Sequence, residues 1–88
     1  MIIYKAQNKI NGKCYIGVTI RSIDRRIYEH WKNSRQPFGN ALRKYGISSF
    51  EVSVLDFTLL KEIGYEKEKY WIKIFNCKSP EGYNLTEG

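Results

Sequence analysis

The side chains that could do chemistry are few, and they lie far apart along the sequence. Tyr4 and Tyr15 stand in two short runs of β-forming residues, Arg26 and His30 follow at a four-residue spacing, and Glu68 comes much later. A carboxylate can bind a divalent cation, an arginine can stabilise a pentacovalent phosphate anion, and a phenol or an imidazole can handle the proton of an attacking water. Phosphodiester hydrolysis requires these residue types, provided that the fold brings them to one place.

The composition predicts one folded, basic domain. The 88 residues are 42% hydrophobic and 15% aromatic, which is typical of a globular chain with one modest core. Fifteen lysines and arginines against nine acids give a net charge of +6, which favours a polyanionic partner, most simply nucleic acid. The apolar runs are too short to span a bilayer, so we expect no membrane partner. A strand-like run from Ile2 leaves no room for a signal peptide, and we expect an intracellular protein.

The cysteines and the histidine cannot form a zinc site. Cys14 and Cys77 lack the CxxC spacing, and His30 is the only histidine. A disulfide between the two cysteines is one alternative. Two buried, reduced thiols in an intracellular protein are the expectation.

The chain begins with a predicted β-hairpin. Two strands, Ile2–Asn8 and Lys13–Val18, flank a turn that contains Asn11-Gly12, a strong hairpin signal. A two-residue loop and a four-residue loop give two different registers. In both registers, the alternation of side chains along a strand puts the two tyrosines on one face of the sheet.

The four-residue loop is the register that we expect. It sets Tyr4 opposite Gly17 and Tyr15 opposite Ala6. The two tyrosines then become diagonal neighbours, about 7–8 Å apart at the backbone. Because Gly17 and Ala6 have almost no side chain, the phenols would stand over a shallow concavity with their hydroxyls at its rim.

The remaining elements must position the other three side chains. Helix, turn and alternation signals predict a helix Ile23–Asn33 capped by Ser22, a short helix Phe38–Tyr45, a strand Phe50–Phe57, and a last helix that covers Tyr65–Phe75 and could begin near Leu59. The tail from Cys77 is predicted to be a loop. The order ββααβα predicts an α+β fold, with a small three-stranded antiparallel sheet flanked by helices in a single domain over residues 1–88.

Helical spacing places Arg26 and His30 on the border of the buried face of the first of these helices. That face is formed by Ile23, Ile27 and Trp31. Arg25 and Lys32 fall on the opposite, solvent side. An arginine that lays its stem on apolar surface is the structural alternative for Arg26.

The last helix places one acid among its apolar positions. Trp71, Ile74 and Phe75 set the inward side, and Glu68 falls within it, whereas Glu62 and Glu66 point away. A buried carboxylate is costly unless it is paired or bound to a cation. An ion pair is therefore the structural interpretation and a metal ligand the functional one. A single inward acid would suit one hard cation that keeps several waters, as Mg²⁺ does.

The sequence resembles the GIY-YIG nuclease family. Tyr15-Ile16-Gly17 is an intact YIG element, and Ile2-Ile3-Tyr4 stands in the place of GIY with isoleucine instead of glycine. RSIDRRIYEH resembles the helix with the catalytic arginine, EKEKYWIKIFN the helix with the metal-binding glutamate, and Gly82-Tyr83-Asn84 the closing motif. LRKYGISSFEVSVL resembles the middle of the mobile-intron and phage homing-endonuclease branch. The similarity runs from about Ile2 to Leu85.

The resemblance implies a divalent-metal-dependent DNA endonuclease with a single active site and one metal ion, Mg²⁺, for which Mn²⁺ could substitute. The implied catalytic residues are Tyr4, Tyr15, Arg26, His30, Glu68 and Asn84. Glu68 would be the metal ligand, and Asn84 would support the site by hydrogen bonding. One tyrosine would orient or deprotonate the water while the other holds phosphate or water. We expect the cation and Arg26 to lower the tyrosine pKa from its ordinary value of about 10.

Duplex DNA is the expected partner. The candidate backbone contacts are Lys5, Lys13, Arg21, Arg25, Lys32, Arg43 and Lys44. Members of the family usually add a module for sequence recognition, and a double-strand break would require two events or a transient dimer. Two alternatives stay open: a non-catalytic nucleic-acid-binding module and a domain that cleaves RNA.

Overall fold

The computed structural model of the protein describes all residues from Met1 to Gly88. Its elements are β1 (Ile2–Asn8), β2 (Cys14–Thr19), α1 (Ile23–Asn33), α2 (Pro37–Tyr45), a 3₁₀ turn (Ile47–Ser49), β3 (Phe50–Phe57) and α3 (Lys61–Phe75). The α+β fold and the order ββααβα are therefore confirmed. No helix is long and apolar enough to cross a membrane.

The sheet has the strand order β2-β1-β3, and both pairings are antiparallel. Tyr4 pairs with Gly17 and Ala6 with Tyr15, which confirms the register of the four-residue loop. Gly12 adopts a positive φ of 79° in this loop, a conformation that suits glycine. β2 begins and ends one residue later than predicted.

Two cores lie on opposite faces of the sheet, because side chains alternate along β1. Tyr4 and Ala6 lie on the face covered by α1 and α2, in a cluster with Ile27 and Leu42. Ile3 lies on the other face, where it clusters with Ile72 of α3. The predicted chemical residues lie along the first face, with Tyr4 inside its core and with Tyr15, His30 and Glu68 at its edge.

Local signals explain where the helices begin and end. The Ser22 hydroxyl accepts a hydrogen bond from the Arg25 amide and caps α1, as predicted. Pro37 is itself the first residue of α2, because proline suits that position, so the predicted start at Phe38 was one residue late. Gly64 lies inside α3 and is buried, and a Cβ there would collide with the Met1 sulfur.

Two predicted core residues are exposed. Trp31 is 38% exposed because α1 contributes only Ile27 to the buried core, and the indole instead stacks on Tyr28 at 5.8 Å. Ile74 is 55% exposed because Ile72 takes the central position of α3 against the sheet. Helical spacing predicted that both residues are buried. Both predictions were wrong, because each helix is rotated about its axis so that another residue faces the core.

The two cysteines form a disulfide, which corrects the expectation of two reduced thiols. The Tyr83 amide donates to the Cys14 carbonyl at 2.9 Å, and this bond holds the tail beside β2. The Cα atoms of Cys14 and Cys77 are consequently 5.4 Å apart, within the range that a disulfide spans. Sequence separation concealed this proximity, because the pairing depends on the docking of the tail.

Candidate active site

Tyr4 lies at the base of the site, on the central strand. Its ring covers Gly17 so closely that a Cβ there would overlap the phenol, which explains the glycine after Tyr15-Ile16. The hydroxyl is fully buried and has no hydrogen-bond partner. It therefore lies beneath the surface, whereas the sequence had placed both hydroxyls at a rim.

Tyr15 lies nearer the surface, and aromatic neighbours orient it. The two tyrosine rings are 6.3 Å apart between centroids. Phe38 of α2 stacks on Tyr15 at 4.1 Å with an interplanar angle of 5°, and His30 meets Tyr15 edge-on at 5.5 Å. Phe38 thus links the phenol to the imidazole, because its ring also meets His30 at 5.1 Å.

His30 presents a neutral imidazole. Burial lowers its pKa to about 4, and the positive charge of Arg26 acts in the same direction. The Nε2 atom is buried and has no hydrogen-bond partner. At neutral pH the ring is therefore unprotonated, and Nε2 can accept a hydrogen bond from a group that enters the site.

Arg26 lies on the border of the buried face, as predicted. Its side chain is 43% exposed, and Nη1 lies 3.8 Å from Oε1 of Glu29, one turn further along α1. An exposed pair at this distance is weak, so the guanidinium is free to meet an anion. Its charge acts on both Tyr4 and Tyr15, which places the three groups in one electrostatic neighbourhood.

Glu68 points inward, as predicted. It lines a cavity of about 310 Å³ together with Tyr15, His30 and Asn84. The other lining residues are Ser34, Gln36, Phe38, Ile72, Tyr83, Leu85, Thr86 and Gly88. The carboxylate forms no ion pair and no hydrogen bond within the protein, and burial raises its pKa.

Burial determines the pKa of both tyrosines. Burial raises the pKa of Tyr15 to about 12, the negative charge of Glu68 adds to this effect, and Arg26 opposes it. Burial raises the pKa of the Tyr4 phenol as well, and Tyr15 contributes to the rise. Arg26 lowers both pKa values, as expected, but burial outweighs this effect in the protein without a bound cation. Both phenols are protonated at neutral pH.

Asn84 acts through the strand that carries Tyr15. Its side-chain amide donates to the Ile16 carbonyl, and the Ile16 amide donates to its Oδ1, both at 2.9 Å. Because β2 is an edge strand, these two bonds satisfy backbone groups that no neighbouring strand can reach. Asn84 is buried, and the geometry gives it the supporting role that the sequence implied.

Two of the predicted DNA contacts have other roles. Lys5 lies on the opposite face of the sheet, where its ammonium sits 4.2 Å from the centroid of Phe75. The Arg43 guanidinium donates to the carbonyls of Trp31 and Ser34 and thereby ties α1 to α2. The predicted contacts that remain exposed are Lys13, Arg21, Arg25, Lys32 and Lys44.

The sequence had not singled out two residues of the site. Phe38 stacks on Tyr15, but only the docking of α2 on the sheet shows this. Glu29 pairs with Arg26, and the spacing of three residues on one helix was a signal that could have found it.

The donor atoms at this site fit a single hard cation. The protein contains no cluster of three or more histidine, cysteine, aspartate or glutamate side chains that could hold a metal ion. Glu68 is a lone, half-buried carboxylate without a protein partner. A cation that keeps most of its waters and takes one carboxylate oxygen, as Mg²⁺ does, suits this arrangement.

Known proteins resemble the chain over nearly its whole length. Among proteins of Enterobacteria phage T4, it is 29% identical to intron-associated endonuclease 1, over 97% of this chain and 36% of that protein. It is 35% identical to putative endonuclease segB, over 97% of this chain and 37% of that protein. The chain thus spans little more than a third of the length of these relatives.

Solved structures agree with this similarity. A mutant form of the catalytic domain of intron endonuclease I-TevI superposes with a TM-score of 0.79 at 27% identity, over 100% of this chain and 97% of that one. The catalytic domain of homing endonuclease I-TevI gives 0.76 at 28% identity, over 96% of both chains. The family model described as the GIY-YIG catalytic domain matches residues 1–84, which include Ile2 in place of the first glycine. The chain therefore belongs to the GIY-YIG family of endonuclease catalytic domains.

Proposed function

We propose that this chain is a divalent-metal-dependent DNA endonuclease domain that hydrolyses phosphodiester bonds at a single active site with one metal ion. The observation that carries the proposal is the unpartnered Glu68 carboxylate, which lines the same cavity as Tyr15 and His30. The names of the similar proteins, endonuclease and homing endonuclease, support DNA as the substrate.

Glu68 would hold the cation, and Mg²⁺ or Mn²⁺ would suit it. When bound, such a cation withdraws negative charge from a phosphate oxygen. Arg26 would supply the second positive charge, since its guanidinium is half-exposed and only weakly paired. An arginine fork donates two hydrogen bonds to phosphate and stabilises the charge that develops on it.

His30 is the group best suited to accept the proton of the attacking water. Its imidazole is neutral at neutral pH, and Nε2 has no partner in the protein. The phenols are protonated at that pH, so they act as hydrogen-bond donors. Tyr15 borders the cavity and would donate to the phosphate or the water, while the buried Tyr4 would hold the floor of the site.

Plasmid nicking tests this function. Supercoiled plasmid is incubated with the protein and Mg²⁺ or Mn²⁺, with and without chelator. We expect nicking that the chelator abolishes and that Glu68→Gln or Arg26→Ala reduces by about 100-fold or more, because each variant removes a charge that acts in the transition state. Glu66→Gln makes the same charge change as Glu68→Gln on a solvent-facing position of α3 and should leave the rate unchanged. Arg25→Ala removes a predicted DNA contact on the same helix as Arg26 and should lower the rate far less than Arg26→Ala.

The same assay separates the alternatives. A protein that binds DNA but does not nick it, with binding unchanged or tightened by Glu68→Gln, would be a non-catalytic nucleic-acid-binding module. Preferential cleavage of RNA in competition with DNA would identify an RNA-cleaving domain. A further DNA-recognition module or a transient dimer would supply site selection and the second strand cut.

A further inference from the structure

Two guanidinium groups from different elements meet at the same carboxylate beside the active site. Arg21, in the turn between β2 and α1, places Nη1 3.4 Å from Oε2 of Glu29. Arg26 places Nη1 3.8 Å from Oε1 of the same residue. All three side chains are between 32% and 56% exposed, so both pairs are open to solvent and weak.

These residues border a groove of about 440 Å³ that also includes Lys61 and Tyr65 of α3. Three cationic side chains, Arg21, Arg26 and Lys61, therefore face one anionic side chain, Glu29. The carboxylate of Glu29 therefore already lies between the two arginines in the free protein.

The groove continues from the active site. Arg26 and His30 both line a second depression on the same side of α1, and His30 also lines the cavity that contains Glu68. Lys61 and Glu68 lie on one stripe of α3, since seven residues make about two helical turns. The active-site cavity, Arg26 and the groove thus follow one another along the surface.

We propose that Arg21 and Lys61, with Arg26 shared, bind a second backbone phosphate of the DNA strand, and that Glu29 occupies the place of this phosphate in the free protein. The proposal rests on the proposed function, because it assigns a path to the same substrate. Seven helical residues rise about 10 Å, and phosphates follow one another about every 3.4 Å along the axis of a strand. The second phosphate is therefore at most about three nucleotides from the one that is cleaved, because two phosphates are never closer than their separation along the axis.

Binding experiments in chelator test the groove without cleavage. The affinity of a fluorescent DNA duplex is measured over a range of salt concentrations for the wild type, Arg21→Gln and Lys61→Gln. Each substitution should weaken binding and should reduce the slope of log K against log salt by about 0.9, the value for one lost phosphate contact. Lys73→Gln removes the same charge elsewhere on α3 and should change the slope less.

Glu29 gives the sharper test, because its removal should improve binding. We expect Glu29→Gln to tighten DNA binding several-fold at low salt, and Glu81→Gln, the same charge change in the tail, to have a smaller effect. The gain should shrink by at least half in an Arg21→Gln background, because Glu29 then has one fewer arginine to neutralise. Equal effects of Glu29→Gln and Glu81→Gln, or unchanged salt slopes for Arg21→Gln and Lys61→Gln, would overturn the proposal.

The two proposals can fail separately. Metal-dependent nicking together with unchanged salt slopes would support the endonuclease proposal and contradict the proposed binding of DNA by the groove. Reduced salt slopes for the variants, without any nicking by the wild type, would support the groove as a DNA-binding surface and contradict the catalytic proposal. The substituted side chains are exposed, apart from Glu29, which is half-buried, and circular dichroism before each titration checks that each variant folds.

Discussion

Gly17 lies directly beneath the ring of Tyr4 and has no space for a side chain. A Cβ there would lie 2.7 Å from Cε1 of Tyr4, with Cζ and the hydroxyl oxygen closer still. We expect Gly17→Ala to lower the free energy of unfolding by about 1–3 kcal/mol, the usual cost of overpacking a core. Urea denaturation measures it.

Removal of the ring provides the control for this prediction. In a Tyr4→Leu background the added methyl group no longer meets the phenol, so Gly17→Ala should cost less than in the wild type. A cost that stays the same in both backgrounds would show that the collision is not its cause.

His30 makes stability depend on pH in a defined direction. The folded protein holds its pKa at about 4, below the ordinary 6.5, so between these values the unfolded chain binds more protons than the folded one. The stability contributed by His30 is fully present above pH 6.5 and is lost as the pH falls toward 4. We expect His30→Gln to flatten this part of the stability profile, measured by urea denaturation in chelator. Parallel profiles would contradict a buried neutral imidazole.

At the scale of elements, the tail is held to β2 by covalent and hydrogen bonds together. Cys77 and Asn84 join it to Cys14 and Ile16, respectively. The disulfide closes a loop with a sequence separation of 63 residues. In the chain-entropy model, a disulfide that closes a loop of this length stabilises the folded state by about 4 kcal/mol. We expect reduction, or Cys77→Ser, to lower stability by about 2–4 kcal/mol.

The thiol count checks this prediction directly. Alkylation of the unfolded protein without reductant should label no cysteine, and labelling after reduction should reveal both. Two labelled thiols before reduction would restore the original expectation of free cysteines. Reduction should also expose the β2 edge at Ile16 to hydrogen exchange.

Secondary structure was accessible from the sequence wherever a local signal decided it. Alternation fixed β1 and β3, and the Ser22 cap fixed the start of α1, with the bounds that the structure has. The burial of individual residues was harder to predict. Trp31 and Ile74 share the spacing of core residues, but the rotation of each helix is set by contacts with residues far away in sequence.

For the candidate site too, features set by one local element could be predicted, and features set by the whole fold could not. The inward position of Glu68 followed from the period of one helix, and the shared face of the tyrosines from one hairpin. The raised tyrosine pKa values did not follow, because burial by Phe38 and the tail depends on the whole fold. The structural role of Arg43 was hidden for the same reason, since two of its three acceptors, the carbonyls of Trp31 and Ser34, lie at the end of another helix.

At the scale of the whole molecule, the proposed function uses a single acid, Glu68, and so assigns the domain one place where a strand would be cut. We expect nicked plasmid to accumulate before linear plasmid, because the second strand needs a second visit or a second protomer. A time course of supercoiled, nicked and linear forms measures this. Linear product that appears without a nicked intermediate would indicate a dimer that cuts both strands together.

β1 is the first element of this domain in chain order, yet it is the central strand of the sheet. Its hairpin with β2 can form early, whereas its other hydrogen bonds must wait for β3, which begins only at Phe50. Closing so long a loop costs entropy before any contact is gained, which slows folding. Glu68 and Asn84 emerge later still. A nascent chain therefore lacks the proposed site, and any hydrolysis would begin only when synthesis of the domain is nearly complete.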